Sequence, residues 1–223
     1  MTEQAVFQIE KDLLRERLCK YTRKAFHMLP KLDKPRILDI GCGSGVPTVE
    51  LARLSNGQIT GLDINQPLLD RLTRKIKEAK LSDRVKTVKS SMFDMGFPDE
   101  SFDIIWAEGS ISVIGFKRGI KEWRRFLKPN GFLVVHDEKG NIKEKLEQIS
   151  SYGYELLGYF TLDEDTWWNE YYFPLEKRIS EIRTQYADEP KALAVLDKDQ
   201  REIDMFKKDS SRYCSVFFIM KKR

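Results

Sequence analysis

Histidine and cysteine are scarce in this sequence, long apolar runs are missing, and neither sign of charge dominates. Two histidines, His27 and His136, and three cysteines, Cys19, Cys42 and Cys214, form no cluster and no short paired spacing. Neither a disulfide framework nor a zinc site is therefore expected. The longest apolar stretches, such as Phe132 to Val135 and Val216 to Met220, have strand length. A membrane helix needs roughly 20 apolar residues, so no span is expected. Thirty-nine basic residues oppose 35 acidic ones, and the net charge of +4 is spread along the chain. That excess is too small and too diffuse for a nucleic-acid surface. The first residues, Met1, Thr2 and Glu3, lead into charged sequence without the apolar stretch of a secretory signal, and a cytoplasmic protein is expected. No repeat and no low-complexity tract occurs.

What remains is an ordinary globular chain of 223 residues, 41% hydrophobic and 33% charged. This length suits one domain with an appendage. From Gln4 to Leu29, Phe7, Leu14, Leu18, Tyr21 and Ala25 recur at helical spacing, which predicts an amphipathic lead-in over residues 1–30. An alternation follows, with strands at Arg36 to Ile40, Gln58 to Leu62, Val85 to Val88 and Phe102 to Trp106. Between them lie helices at Thr48 to Leu54 and Leu68 to Lys80. A helix through Lys117 to Leu127, a turn at Lys128-Pro129-Asn130-Gly131 and a doubly buried strand from Phe132 to Val135 come next. A helix from Ile142 to Ser151 leads to a strand from Tyr154 to Thr161, and Ser215 to Met220 closes the chain. Alternating β and α segments imply a doubly wound α/β domain with a largely parallel sheet. The core is expected over residues 36–162, with a closing strand in 213–223. The segment from Asp163 to Arg212 has no place in a minimal βα repeat and reads as a helical insertion, a lid over one end of the sheet.

Chemistry concentrates at Asp39-Ile40-Gly41-Cys42-Gly43-Ser44-Gly45, where an apolar strand enters a glycine-rich turn and then a helix. Glycine accepts positive φ and lets a ligand press on the backbone, while the next helix presents unpaired N–H groups. A dinucleotide fingerprint would place its third glycine one residue later, where Val46 stands, so the spacing disfavours NAD. A tight turn without a ligand remains the plainer alternative. Asp63 ends the second strand, the place from which a carboxylate reaches ribose hydroxyls. In the run Asp63-Ile64-Asn65 ahead of Pro67 it equally suits a helix cap, a task for which Asn65 is also fitted.

The run Ile37 to Leu69 resembles the first motif, and its acidic successor, of class I S-adenosylmethionine-dependent methyltransferases. Phe97-Pro98-Asp99-Glu100-Ser101-Phe102-Asp103 is similar to the loop and fourth strand of that family. Trp123-Arg124-Arg125-Phe126-Leu127-Lys128-Pro129-Asn130-Gly131 is similar to its approach to the fifth strand. The pattern is nearest the ubiquinone and menaquinone biosynthesis group, methyltransferase type 11, which acts mainly on small molecules. The resemblance implies a Rossmann-like seven-stranded sheet of order 3-2-1-4-5-7-6 with its last strand antiparallel, and S-adenosylmethionine as cofactor. It implies that Asp39 helps hold the methionine end, that Gly41, Cys42, Gly43 and Gly45 form the floor, and that Asp63 takes the ribose. Ser91 stands where the family commonly has an acidic residue for the adenine amino group. Met92 and Ile64 are expected on the two faces of the base, their alternative being ordinary core packing.

Glu108, in Trp106-Ala107-Glu108-Gly109-Ser110, follows the fourth strand at the edge where ligands collect. It suits the sulfonium, a substrate cation or a proton, or else it caps a helix starting near Gly109. Asn-Pro-Pro-Tyr and Asp-Pro-Pro-Tyr, the signatures of many amino-group methylases of DNA and protein glutamine, are lacking there, which disfavours a flipped nucleic-acid base. His136 sits near the same edge, and a structural role is preferred for it. Trp167, Trp168, Tyr171 and Tyr172 either anchor the insertion by apolar burial or line an acceptor pocket. The expected activity is methyl transfer to a small-molecule acceptor. The alternatives are a non-catalytic cofactor-binding or regulatory protein, and a methyltransferase acting on protein or RNA. Neither the acceptor nor the oligomeric state is legible.

Overall fold

A computed structural model describes residues 11–185 and 190–223. These residues form two compact units, one joining Cys19–Thr161 to Ser215–Arg223 and the other joining 11–18 to Leu162–Cys214.

The first unit is built on seven strands: β1 (Arg36–Ile40), β2 (Gln58–Asp63), β3 (Val85–Lys89), β4 (Phe102–Glu108), β5 (Leu127–Glu138), β6 (Tyr154–Leu162) and β7 (Ser215–Lys222). Their order is β3-β2-β1-β4-β5-β7-β6, with β7 antiparallel to β5. Because β1, β2 and β4 pair in parallel, with Ile40 opposite Leu62 and Asp39 opposite both Gly61 and Trp106, their carboxyl ends share one edge. The strand order reverses between β1 and β4, the switch point at which open α/β sheets bind ligands.

Apolar patterning accounts for the strands. Residues 37–40 of β1 and 132–135 of β5 are buried throughout, as strands covered on both faces must be. Trp106, Trp123 and Phe218 are fully buried among them. The helices are α1 (Cys19–His27), α2 (Val46–Leu54), α3 (Gln66–Glu78), α4 (Phe116–Trp123) and α5 (Ile142–Ser151). Asn65 caps α3 by accepting from the Leu68 N–H, and Pro67 fills its first turn, as expected of both residues. The expected helix through Leu127 ends at Trp123, and a 3-10 turn over Arg124–Phe126 leads directly into β5. Lys128-Pro129-Asn130-Gly131 is not a separate turn. It forms an irregularity inside β5, where Phe102 pairs with Leu127 and Ile104 with Phe132, and Asn130 takes φ 60°.

The second unit is helical. Asp163 caps α6 (Glu164–Trp167) by accepting from the Thr166 N–H, and its carboxyl is held below the usual range chiefly by the Thr166 side chain, with that N–H adding to the effect. A π-helical turn, Trp168–Tyr172, continues into α7 (Phe173–Gln185), and α8 (Pro190–Lys208) follows. Tyr171, Tyr172, Leu175, Ile179, Ile203 and Phe206 belong to a core of this unit's own. Lys11 pairs with Asp199 at 2.5 Å inside the same unit.

The expected single lead-in helix is divided by a turn at Arg17 and Leu18; its first ten residues lie outside the described set. The division has a packing reason. Leu14 and Leu18 pack against the aromatic core of the helical unit, whereas Cys19, Thr22 and Ala25 are buried in the sheet unit. One apolar stripe thus serves two cores.

Candidate functional site

Three glycines with positive φ shape the loop after β1, but they do different things. A Cβ on Gly41 would stand 2.5 Å from the Ser110 Cβ, and one on Gly45 would stand 2.1 Å from Leu72 Cδ1. Both glycines make room for the protein itself. A Cβ on Gly43 would meet nothing within 4 Å. Of the three, Gly43 is the one at which an added Cβ would not meet the protein.

Asp63 organises the loop. Its Oδ2 accepts from the Gly43 N–H and its Oδ1 from the Asn65 N–H, both at 2.8 Å. A carboxylate has about four lone-pair sites, so each oxygen keeps capacity for a hydroxyl donor. Asp63 is half-buried, and the adjacent Ile64 side chain is 68% exposed, a large apolar surface beside an open backbone. Met92 is half-buried, packs on the main core and reaches the loop, its Cε 3.5 Å from where a Gly41 Cβ would be. The Ser91 hydroxyl accepts from the Phe93 N–H at 3.2 Å, within a short bridge to Asp94.

Asp39 and Cys42 lie beneath this surface. Asp39 is buried and accepts from the Thr48 hydroxyl of α2 at 2.6 Å, while burial pushes its carboxyl up to about 7. It ties β1 to α2. The Cys42 sulfur fits where Gly61 lacks a side chain, and burial raises its thiol well above the ordinary range.

Glu108 does not cap the turn that follows it, since the 3-10 helix Ile111–Val113 begins after Ser110 without a side-chain cap. Its carboxylate instead accepts from the Thr22 hydroxyl of α1, 3.0 Å from both oxygens, and from the Trp106 indole N–H at 3.0 Å. Burial, with Asp39 nearby, pushes the Glu108 carboxyl up to about 7. The pairing with Trp106 follows from the two-residue period of a strand. Thr22 carries no local signal, nor do Thr48 and Ser110, whose hydroxyl donates to the Ile40 carbonyl at 2.6 Å.

His136 opposes Glu108 in the β4–β5 register, bonds through Nε2 to the Ser215 hydroxyl at 2.8 Å and stacks on Phe217 at 4.2 Å. Burial pushes its pKa from 6.5 down to about 3. A ring held neutral in this way binds fewer protons folded than unfolded. Its contribution to stability is therefore present above pH 6.5 and is lost as pH falls toward 3. Asp39 and Glu108 act oppositely, contributing below about 4 and losing their contribution as pH rises through 7. His136→Gln is expected to flatten the acid side of the stability curve relative to the native chain, by about 1.4 kcal/mol per pH unit below 6.5. Urea unfolding at pH 6.5 and 5.5 measures it, and parallel changes in both proteins would refute the buried neutral ring.

A sheet of this order with a glycine loop at the switch point and an acidic residue closing β2 is the class I methyltransferase arrangement. Residues 38–135 match the family described as methyltransferase domain. Over that segment the chain matches that family, and its sheet has the strand order of class I S-adenosylmethionine-dependent methyltransferases. It is 28% identical over 161 residues to 27-O-demethylrifamycin SV methyltransferase of Amycolatopsis mediterranei (strain S699), covering 70% of this chain and 59% of that one. It is 35% identical over 112 residues to the sterol 24-C-methyltransferase ERG6A of Gibberella zeae, covering 50% of this chain and 29% of the relative. The chain thus spans less than two thirds of either curated relative. Among solved structures, the [4+2]-cyclase SpnF superposes with a TM-score of 0.73 at 22% identity, covering 91% of this chain and 80% of that one. Among the described residues no helix is long and apolar enough to cross a membrane.

Proposed function

We propose that this protein transfers a methyl group from S-adenosylmethionine to a small-molecule acceptor in the cytoplasm. The observation that carries the reading is Gly43, whose missing side chain leaves open space beside Asp63 while the flanking glycines are filled by protein. Around that opening, Asp63 is suited to the ribose hydroxyls, and Ile64 and Met92 to the two faces of the adenine. The Ser91 hydroxyl and the Met92 N–H are suited to the edge of the base. When bound, the cofactor supplies a methyl carbon already activated on a sulfonium. The protein's own task is then to orient the acceptor and exclude water, an effect that can reach roughly 7 to 11 kcal/mol. The named activities of the two curated relatives favour a small molecule over protein or RNA, and the diffuse charge of the chain favours it over nucleic acid. Acceptor choice is assigned to the helical unit, where Trp167 and Trp168 are only half-buried; Tyr171 and Tyr172 are taken up by its core.

Titration calorimetry with S-adenosylhomocysteine and with NAD tests the cofactor, and NAD binding without the former would overturn it. Asp63→Asn keeps an oxygen for the Gly43 N–H but loses the charge. It is expected to weaken S-adenosylhomocysteine by about 1.5 to 3 kcal/mol, the value of a charge-assisted bond. Unchanged affinity would move the site elsewhere. The [4+2]-cyclase that shares the fold supports a second reading, a cofactor-binding protein without transferase activity. Methyl-labelled cofactor offered to metabolite, RNA and protein fractions separates the two, because the second reading requires that no fraction takes up label.

A further inference from the structure

Resting on that reading, we infer that Glu108 accepts the proton of a hydroxyl-bearing methyl acceptor and that Thr22 is the positioning residue that holds Glu108 for this task. Glu108 is half-buried at the carboxyl end of β4, on the edge that carries the glycine loop and Asp63. Its partners are one hydroxyl hydrogen from Thr22, shared between the two oxygens, and one indole hydrogen from Trp106 on Oε2. Two hydrogens thus serve about four lone-pair sites, and Oε1 receives only a share of one. Neither donor is a cation.

Among the described residues, the groups facing Glu108 from the elements around it leave the carboxylate without a counter-charge. From β1 comes the carboxyl of Asp39, which raises Glu108 further. From β5 comes His136, kept neutral by burial. On α1, Arg23 pairs with Glu50, and Lys24 lies over the Phe160 ring. The carboxyl, raised by burial to about 7, can take up and release a proton near neutrality, which suits general acid–base work.

The chemistry of that site selects among acceptors. An amine would be met as an ammonium ion and held protonated by the carboxylate, without a lone pair to attack. An alkene would cover Oε1 with hydrocarbon and strand a desolvated charge. A hydroxyl satisfies Oε1 by donating to it, and the same bond aims the oxygen's other lone pair. In the step, the acceptor oxygen forms a bond to the methyl carbon as the sulfur–methyl bond breaks, its electron pair staying on sulfur. The acceptor proton passes to Glu108 Oε1, so the products are a methyl ether, S-adenosylhomocysteine and a neutral carboxylic acid that returns its proton to solvent.

The test offers the full chain methyl-labelled S-adenosylmethionine with a panel of substituted phenols, primary amines and aliphatic thiols. The Trp106 indole N–H resonance is followed against pH in the S-adenosylhomocysteine complex. Expected are label on the phenols, a kcat that falls on the order of 10²- to 10⁴-fold in Glu108→Gln with KM little changed, and S-adenosylhomocysteine affinity within a few-fold. The indole resonance should titrate near neutrality and stop doing so in Glu108→Gln. Thr22→Val should shift both that midpoint and the pH–rate limb, and Thr22→Ser should restore them. Label on amines or thiols alone, label on nothing while S-adenosylhomocysteine still binds, or a change in KM without kcat would overturn the proposal. Loss of S-adenosylhomocysteine binding by the native chain would instead be a failure of the cofactor reading.

Discussion

Valine in place of Gly43 is expected to lower S-adenosylhomocysteine affinity by about a hundredfold or more while leaving the chain folded. Its Cβ would meet nothing within 4 Å apart from the adjacent residues, and on the proposed reading the branched side chain would occupy cofactor space. Its cost to the fold is the left-handed backbone, φ 53°, of order 1–2 kcal/mol for a residue with a Cβ. For a chain of this size that shifts the melting midpoint by several degrees, at about 2–4 °C per kcal/mol. Two residues on, the balance reverses. Alanine at Gly45 would drive its Cβ to 2.1 Å from Cδ1 of Leu72, a fully buried side chain, at φ 80°. Overpacking of roughly 1–3 kcal/mol then adds to the backbone strain. Gly45→Ala should therefore lose stability first and affinity only as the folded fraction falls. Adding Leu72→Ala should relieve the clash but not the strain. Calorimetry with S-adenosylhomocysteine beside thermal melts separates the two glycines. Equal losses of affinity at matched stability would mean that both line the ligand space.

That contrast marks the limit of what the sequence disclosed. The strand–glycine loop–helix unit was legible because its signals are local: an apolar run, glycines needing positive φ, Pro47 at the start of α2 and Asn65 capping α3. Which glycines make room for the protein itself was not legible, since Ser110 and Leu72 reach Gly41 and Gly45 only after folding. Lys128-Pro129-Asn130-Gly131 has turn chemistry and does distort the chain, yet pairing with β4 on both sides keeps it within β5. Tertiary pairing overrides local propensity there. The lead-in helix was visible as a periodic stripe, but periodicity does not say that Leu14 and Leu18 belong to one core and Ala25 to another. Glu108 was identifiable by its position after β4. Its partner Thr22 lies 86 residues away, and nothing in either local sequence announces the bond.

Tyr172→Ala is expected to destabilise the helical unit by about 3–5 kcal/mol, the cost of emptying a buried aromatic site. The ring is 4% exposed and lies 4.4 Å from Phe206, 5.2 Å from Tyr171 and 5.7 Å from Tyr213 by ring centroids. Its hydroxyl donates to Glu202 at 3.0 Å, and burial together with that carboxylate raises its pKa well above the ordinary value. Tyr172→Phe removes only the bond and should cost about 1.5–3 kcal/mol, the worth of a hydrogen bond to a charged group. Because the core around Tyr172 is distinct from that of the sheet unit, the alanine variant should melt in two steps. Far-ultraviolet circular dichroism would lose helix in the first step while S-adenosylhomocysteine binding survives it. Trp168→Ala is the counterpart. Its ring is half-buried, stacked on Phe206 at 5.9 Å with the Lys207 ammonium over it, so its removal costs less packing. If the helical unit selects the acceptor, Trp168→Ala should lower methyl transfer with cofactor affinity within a few-fold, in a chain that still melts as the native one does. A single cooperative melt in Tyr172→Ala, with cofactor binding lost in the same transition, would show that the two cores stand or fall together. Full transfer by folded Trp168→Ala would leave its ring with packing alone.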